Sequence, residues 1–239
     1  MMVLGHRGWP DPVLHPENTL AAMTAALDGG ADGVEVDVRL TADGVAVCCH
    51  DDDLQRVGAA VPSVRRATWA QLREVVLPGG HPIPRLLDVA AATAGRGQLV
   101  LDLKPEPRIG AMLRASLASL ALAGLDTRDV VASSFDERLL EVLAVRRPRL
   151  ERAAILDVGD PLHPALMRSR RRGDTALHLP LRTVLAEPSA VQGAGLAVRV
   201  WTVNRLVDAQ LCDLVGVEAV ITDRPADLTA GLLRTRAAA

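Results

Sequence analysis

The sequence predicts an α/β protein, an eight-stranded parallel β/α barrel of the TIM type, on three observations. Short β-branched runs recur along the chain, each followed by an Ala- and Leu-rich stretch of helical length, which is the alternation of a parallel sheet covered by helices. The length, 239 residues, lies close to the ~250 residues such a barrel takes. Nine strand candidates appear, one more than the barrel needs, and the surplus one has a local explanation.

The candidates are residues 3–6, 33–40, 45–50, 98–103, 130–134, 152–156, 176–179, 197–203 and 219–222. Between the second and third, "TADG" reads as a tight turn with Gly44 where the chain needs positive φ. Residues 45–50 then fold back on their predecessor as a hairpin, and eight strands remain for the barrel. Leu20, Met23, Ala26 and Leu27 follow helical spacing, with Asn18 or Thr19 as the cap and Gly29-Gly30 as the stop. Leu139, Leu140, Val142 and Leu143 make a similar stripe after "SSFDER". The basic run "RSRRRGD", residues 168–174, is expected at a helix end facing solvent. No internal repeat or low-complexity linker divides the chain, so residues 1–239 are expected to form one domain.

A hydrophobic content of 49% supports a full core. The net charge of -2, from 27 Lys and Arg against 29 Asp and Glu, excludes broad attraction to nucleic acid or an anionic membrane surface. Any bound anion must be met locally. Three cysteines give neither a disulfide ladder nor zinc spacing, which points to a reducing cytoplasm. The start "MMVLGHRG" has no signal-peptide pattern, and the most apolar helix, around residues 115–125, is too short and too interrupted by Ser to span a bilayer. A soluble protein without stable membrane insertion is the expectation.

The chemistry collects at strand ends. In "GVEVDV", alternation sends Val34, Val36 and Val38 to one face and Glu35 and Asp37 to the other, toward the barrel axis. Two converging buried carboxylates call for a cation, and oxygen ligands without cysteine favour Mg²⁺ or Ca²⁺. The bland alternative is a pair of acids satisfied by Arg39 or another basic side chain. In "LVLDLKPE", Asp102 and Lys104 share a face, which alone reads as a salt bridge. "GHRG" ends the first strand with His6 and Arg7 at the rim where barrel enzymes hold their sites, and Gly5 and Gly8 let the backbone bend closely. His50 closes the third candidate strand. This inventory suits phosphodiester cleavage: cationic groups neutralise charge on nonbridging oxygens, one histidine accepts a proton and the other donates one.

Together, "GHRGWPDPVLHPENTLAAM", "ADGVEVDVRLTADGVAVCCHDDDLQRV", "LVLDLKPE", "VVASSFDERLL", "VRVWTVN" and "AVITDRP" make the chain resemble the glycerophosphodiester phosphodiesterase family over nearly its whole length. The resemblance implies the TIM barrel of the phospholipase-C-like phosphodiesterases and hydrolysis of small glycerophosphodiesters to glycerol 3-phosphate and an alcohol. It further implies His6 and His50 as the acid/base pair, Glu35 and Asp37 as ligands of a divalent cation, and Arg7 and Lys104 as phosphate contacts. Asp102 falls where the family commonly has glutamate as a third ligand, a departure shared with the similar sphingomyelinase D enzymes. Glu17 and Asn18 of "PENT" also match family positions that reach toward the site from the first loop; Glu17 is assigned to substrate binding, while Asn18 is equally explained as a helix cap. Trp201 of "WTVN" is assigned to packing against a glycerol skeleton, against the alternative of a rim residue closing the core. Asn204, Thr222, Asp223 and Arg224 also match family positions, with capping and rim salt bridges as their default explanation. His15, His81, His163 and His178 match no catalytic position and read as ordinary.

Two rival functions differ in what they require. A lysophospholipase D or cyclising lyase needs an apolar entry groove, and the short, aromatic-poor loops after Gly8 and His50 do not advertise one. A binding barrel without turnover is expected to lose a histidine or the metal pair, and the chain keeps all four residues. Restoring the longer acid, Asp102→Glu, is expected to give equal or tighter binding of Mg²⁺ or Ca²⁺ by calorimetry; weaker binding would show a site shaped for aspartate.

Overall fold

Inward and outward residues alternate along each barrel strand, and the two sets build different cores. The computed structural model describes residues 1–59 and 63–238. Its strands are β1 Met2–His6, β2 Gly33–Leu40, β3 Ala46–Cys48, β4 Val76–Leu77, β5 His81–Pro82, β6 Gln98–Leu103, β7 Val130–Ser134, β8 Glu151–Ile155, β9 Ala176–Pro180, β10 Ala197–Trp201 and β11 Ala219–Thr222. Eight of them run parallel in the ring β1-β11-β10-β9-β8-β7-β6-β2, closed by pairing of β1 with β2. β3 pairs antiparallel with β2 through Arg39 and Val47, and Gly44 takes φ +83° in the turn between them. The expected barrel with one extra hairpin strand is the observed fold.

Outward residues such as Val34, Val36, Leu99 and Leu101 are buried against the helices Leu20–Asp28, Leu86–Thr93 and Ile109–Leu122. Inward residues Leu4, Val100, Val131, Ala153, Ala176 and Ala219 fill the barrel interior. A third, small cluster of Val47, Leu54, Val64, Leu72, Leu77 and Ile83 lies under the long excursion between β3 and the helix Leu86–Thr93. That excursion carries the β4–β5 hairpin and two 3-10 turns, none of which the sequence pattern predicts, because their runs are too short to show a period.

One local expectation is resolved and another needs correction. Of the two cap candidates, Thr19 caps the helix Leu20–Asp28, its hydroxyl accepting from Ala22 N at 3.2 Å. Asn18 instead sits at φ +60° and faces β2. The basic run ends the helix Leu162–Arg172, but not all of it faces solvent. Arg172 is tucked in by Asp174 at 2.5 Å and Glu137 at 2.8 Å, which removes its charge from the surface.

The β2–β6 seam tolerates no side chain at its start. Gly33 pairs with Gln98, and a Cβ there would lie 2.2 Å from the Gln98 carbonyl oxygen. Gly33→Ala is therefore expected to destabilise the fold by ~1–3 kcal/mol, the usual cost of overpacking. Thermal melting should show a loss of several degrees; an unchanged midpoint would mean that the seam relaxes freely.

Candidate active site

Strand register assembles the site. His6 is level with Glu35 across β1–β2, Asp37 with Asp102 across β2–β6, and Asp102 with Ser133 across β6–β7. Because period-2 alternation points Glu35, Asp37 and Asp102 inward, each offers a carboxylate oxygen, and these oxygens lie within 4.8 Å of one another. All three side chains are buried.

Burial and the charge of Asp37 push the Glu35 carboxyl up to about 7. Asp102 is raised to about 6 by burial, with Asp37 adding to it and Lys104 opposing. Asp37 goes the other way despite its burial, held well below the usual carboxylate range by Lys104 and Arg7. Lys104 Nζ lies 2.6 Å from Asp37 Oδ1 and 2.5 Å from Asp102 Oδ2. Arg7 Nε lies 3.0 Å from Asp37 Oδ2, a charge contact without hydrogen-bond alignment. Asn18 completes the support of Asp37, donating from Nδ2 at 2.8 Å and accepting from the Asp37 backbone N–H at 3.0 Å. Its left-handed backbone is what turns both amide atoms toward β2. Arg39 does not satisfy these acids; its Nε donates to the His50 carbonyl at 2.7 Å.

The salt-bridge reading of Asp102 and Lys104 is therefore realised, yet it leaves charge uncompensated. Asp102 Oδ1 is buried with no hydrogen-bond partner. An all-oxygen cluster with an orphaned carboxylate oxygen could bind a hard divalent cation, so the residues fit such an ion.

Each histidine is oriented by an aspartate. His6 Nδ1 lies 2.7 Å from Asp223 Oδ1, and Asp223 is held by Asn204 Nδ2 at 2.7 Å. Burial lowers the His6 pKa, but the Asp223 bond and Glu35 outweigh it and the net shift is upward. His50 Nδ1 lies 2.7 Å from Asp51 Oδ1, and its pKa is lowered, first by burial and then by Lys104 and Arg7. With both Nδ1 atoms engaged, Nε2 is the nitrogen left to each ring for proton exchange. Arg56 ties the rim together: Nε donates to Asp51 at 2.7 Å, and its terminal nitrogens donate to Glu17 at 2.6 and 2.7 Å. Glu17 also accepts from Arg7 Nη1 at 2.9 Å.

A cavity of about 540 Å³, counting space open to solvent, is lined by His6, Arg7, Glu35, Asp37, His50, Asp102, Lys104 and Trp201 among others. Of the residues assigned from sequence to catalysis, cation binding or substrate contact, Glu17 alone is not on this wall; it stands behind Arg7 and Arg56. Trp201 meets Phe135 edge to face at 5.9 Å.

A family profile described as the glycerophosphoryl diester phosphodiesterase family matches residues 6–227. The chain belongs to this family. It is 32% identical to "Probable glycerophosphodiester phosphodiesterase 1" of Mycobacterium tuberculosis, over 98% of this chain and 93% of that one. It is 29% identical to the glycerophosphodiester phosphodiesterase of Caldanaerobacter subterraneus, over 95% and 96%. Among solved structures, an Oleispira antarctica phosphodiesterase in complex with the product sn-glycerol-3-phosphate superimposes with a TM-score of 0.86 at 25% identity, covering 97% and 96% of the two chains. The Thermotoga maritima glycerophosphodiester phosphodiesterase gives 0.77 at 28% identity, covering 97% and 98%. The enzyme class is thus that of phosphoric diester hydrolases.

Sequence reasoning missed Arg56 and Asp51. The rim salt bridge expected of Asp223 is made to His6, with Asn204 supporting it, while nothing in the letters around Arg56 signals its reach. His178 occupies an inward position of β9 and lines the cavity, which the alternation in "ALHLP" could have shown. Because Asp223 raises the His6 pKa, Asp223→Asn is expected to move the His6 limb of the pH–rate profile to lower pH. A profile unshifted at both limbs would remove Asp223 from that role.

Proposed function

We propose that the chain hydrolyses small, water-soluble glycerophosphodiesters to glycerol 3-phosphate and an alcohol, using a divalent cation and two histidines. The observation that carries this reading is the meeting of His6, His50, Arg7, Lys104 and the three carboxylates on one cavity wall. Glu35, Asp37 and Asp102 would hold the ion, Mg²⁺ or Ca²⁺. When bound, it supplies positive charge to the nonbridging phosphate oxygens as charge grows there.

The chain's own residues do the rest. Arg7 and Lys104 share the phosphate charge from the β1 and β6 sides. One imidazole accepts the nucleophile's proton through Nε2 and the other donates to the leaving alkoxide, a division that their oppositely shifted pKa values support. Asp223 and Asp51 act as positioning residues, holding each ring so that it gains or loses its proton without turning. Glu17, assigned from sequence to the substrate, acts here through Arg7 by fixing its guanidinium. Trp201 offers an apolar face to the carbon skeleton.

No helix among the described residues is long and apolar enough to cross a membrane. Work in the cytoplasm is supported by the three free cysteines, and residues 1–239 as one catalytic domain by the single closed ring of strands.

His6→Ala and His50→Ala are each expected to lower kcat by ~10²–10⁴, as for loss of an acid or base, measured by release of glycerol 3-phosphate from glycerophosphocholine. Rates near wild type would refute their assignment. Metal-stripped protein in EDTA should lose turnover and regain it with Mg²⁺ or Ca²⁺; full activity in chelator would end the metal assignment.

A further inference from the structure

The long excursion between β3 and the helix Leu86–Thr93 sends one side chain back to the barrel mouth. Arg56 stands in the 3-10 turn Gln55–Val57, between Leu54, which is buried in the small cluster with Val47 and Ile83, and Val57, which packs against that cluster. Its backbone is thereby fixed to the excursion's own core, and Gly58 at φ +81° turns the chain away after it. The side chain leaves that core and engages two acids with all three guanidinium nitrogens. Nε donates to Asp51 at 2.7 Å, and the Nη pair forks onto Glu17 at 2.6 and 2.7 Å. Each acid has a second partner with a part in the hydrolysis: Asp51 holds His50 Nδ1, and Glu17 holds Arg7 Nη1. Arg56, Asp51 and Glu17 all stand off the cavity wall.

We propose that Arg56 is a positioning residue, which fixes the His50 imidazole through Asp51 and the phosphate-holding Arg7 through Glu17. This rests on the phosphodiesterase reading and adds to it a residue that acts without touching substrate. The contacts call for arginine. Two donors in one plane match the two oxygens of Glu17 while Nε is left for Asp51, and a lysine ammonium has no such fork. Without the guanidinium, Asp51 and His50 are left with a bond whose two side chains are 30% and 35% exposed, so water competes for both ends. Arg56 is itself 47% exposed, and ion pairs of that kind add little to folding. Alignment is what it contributes, since a misplacement of ~1 Å near a reacting centre costs up to ~10²-fold in rate.

The two arms have separate kinetic consequences. On metal-loaded protein turning over glycerophosphocholine, Arg56→Met is expected to lower kcat about tenfold and to raise KM roughly threefold. Its melting midpoint should stay within about 4 °C of wild type. In an Asp51→Asn background the same change should cost less than about twofold in kcat, because the path to His50 is already cut. In a Glu17→Gln background its effect on KM should vanish while most of the loss in kcat remains. Arg56→Lys, which keeps the charge and loses the fork, should show the same pattern in weaker form, and it takes the place of Arg56→Met should that variant fail to fold. Wild-type kcat and KM in Arg56→Met overturn the inference. So do losses equal in all three backgrounds, which would mark a direct effect of charge on the substrate. Both results leave turnover by the wild-type protein intact. A wild-type protein without turnover in Mg²⁺ or Ca²⁺ would instead bring down the phosphodiesterase reading and this role with it.

Discussion

Three acids buried at neighbouring strand ends are the constraint around which this barrel is built. Glu35, Asp37 and Asp102 are 5%, 1% and 6% exposed, and charge removed from water to that extent must be met by opposite charge or directed hydrogen bonds. Asp37 receives nearly all the compensation that the protein itself provides, from Lys104, Arg7 and Asn18. Glu35 receives the Arg7 backbone N–H at 3.0 Å, and Asp102 shares the Lys104 ammonium. The unequal distribution separates three chemically similar groups into one firmly ionised carboxylate and two whose charge is costly. It also explains the backbone at the mouth, where Arg7 and Asn18 both adopt left-handed conformations that extended or helical chain could not replace.

Around that cluster the charges are relayed outward in alternation. Asp37 holds Arg7, Arg7 holds Glu17, Glu17 holds Arg56 and Arg56 holds Asp51, which orients His50. The two imidazoles are therefore anchored to different parts of the fold, His6 to the end of β11 and His50 to the rim loops. Their environments differ accordingly. One ring is pulled toward its charged form by carboxylates, the other toward neutrality by burial and neighbouring cations.

What could be read from the letters follows the range of each interaction. Strand alternation is a local rule, so the inward placement of Glu35, Asp37, Asp102 and Lys104 was legible, as was the rim position of His6 and His50. The hairpin at residues 45–50 was legible from its glycine turn. Asn18 was legible only in part: its family match put it near the site, but its bonds to Asp37 depend on a left-handed backbone and a partner on another strand. Arg56 reaches Glu17 across 39 residues of chain and Asp223 reaches His6 across 217, distances at which no period or propensity operates. His178, read as ordinary, lines the cavity, and a lone histidine in a strand looks the same in sequence wherever its ring ends up.

The cluster of Val47, Leu54, Val64, Leu72, Leu77 and Ile83 lies apart from the barrel's own apolar layers, beneath the loops that carry His50, Asp51 and Arg56. Opening of these loops would expose only that small patch, so the rim and the carboxylate-bearing strands draw their stability from separate apolar clusters.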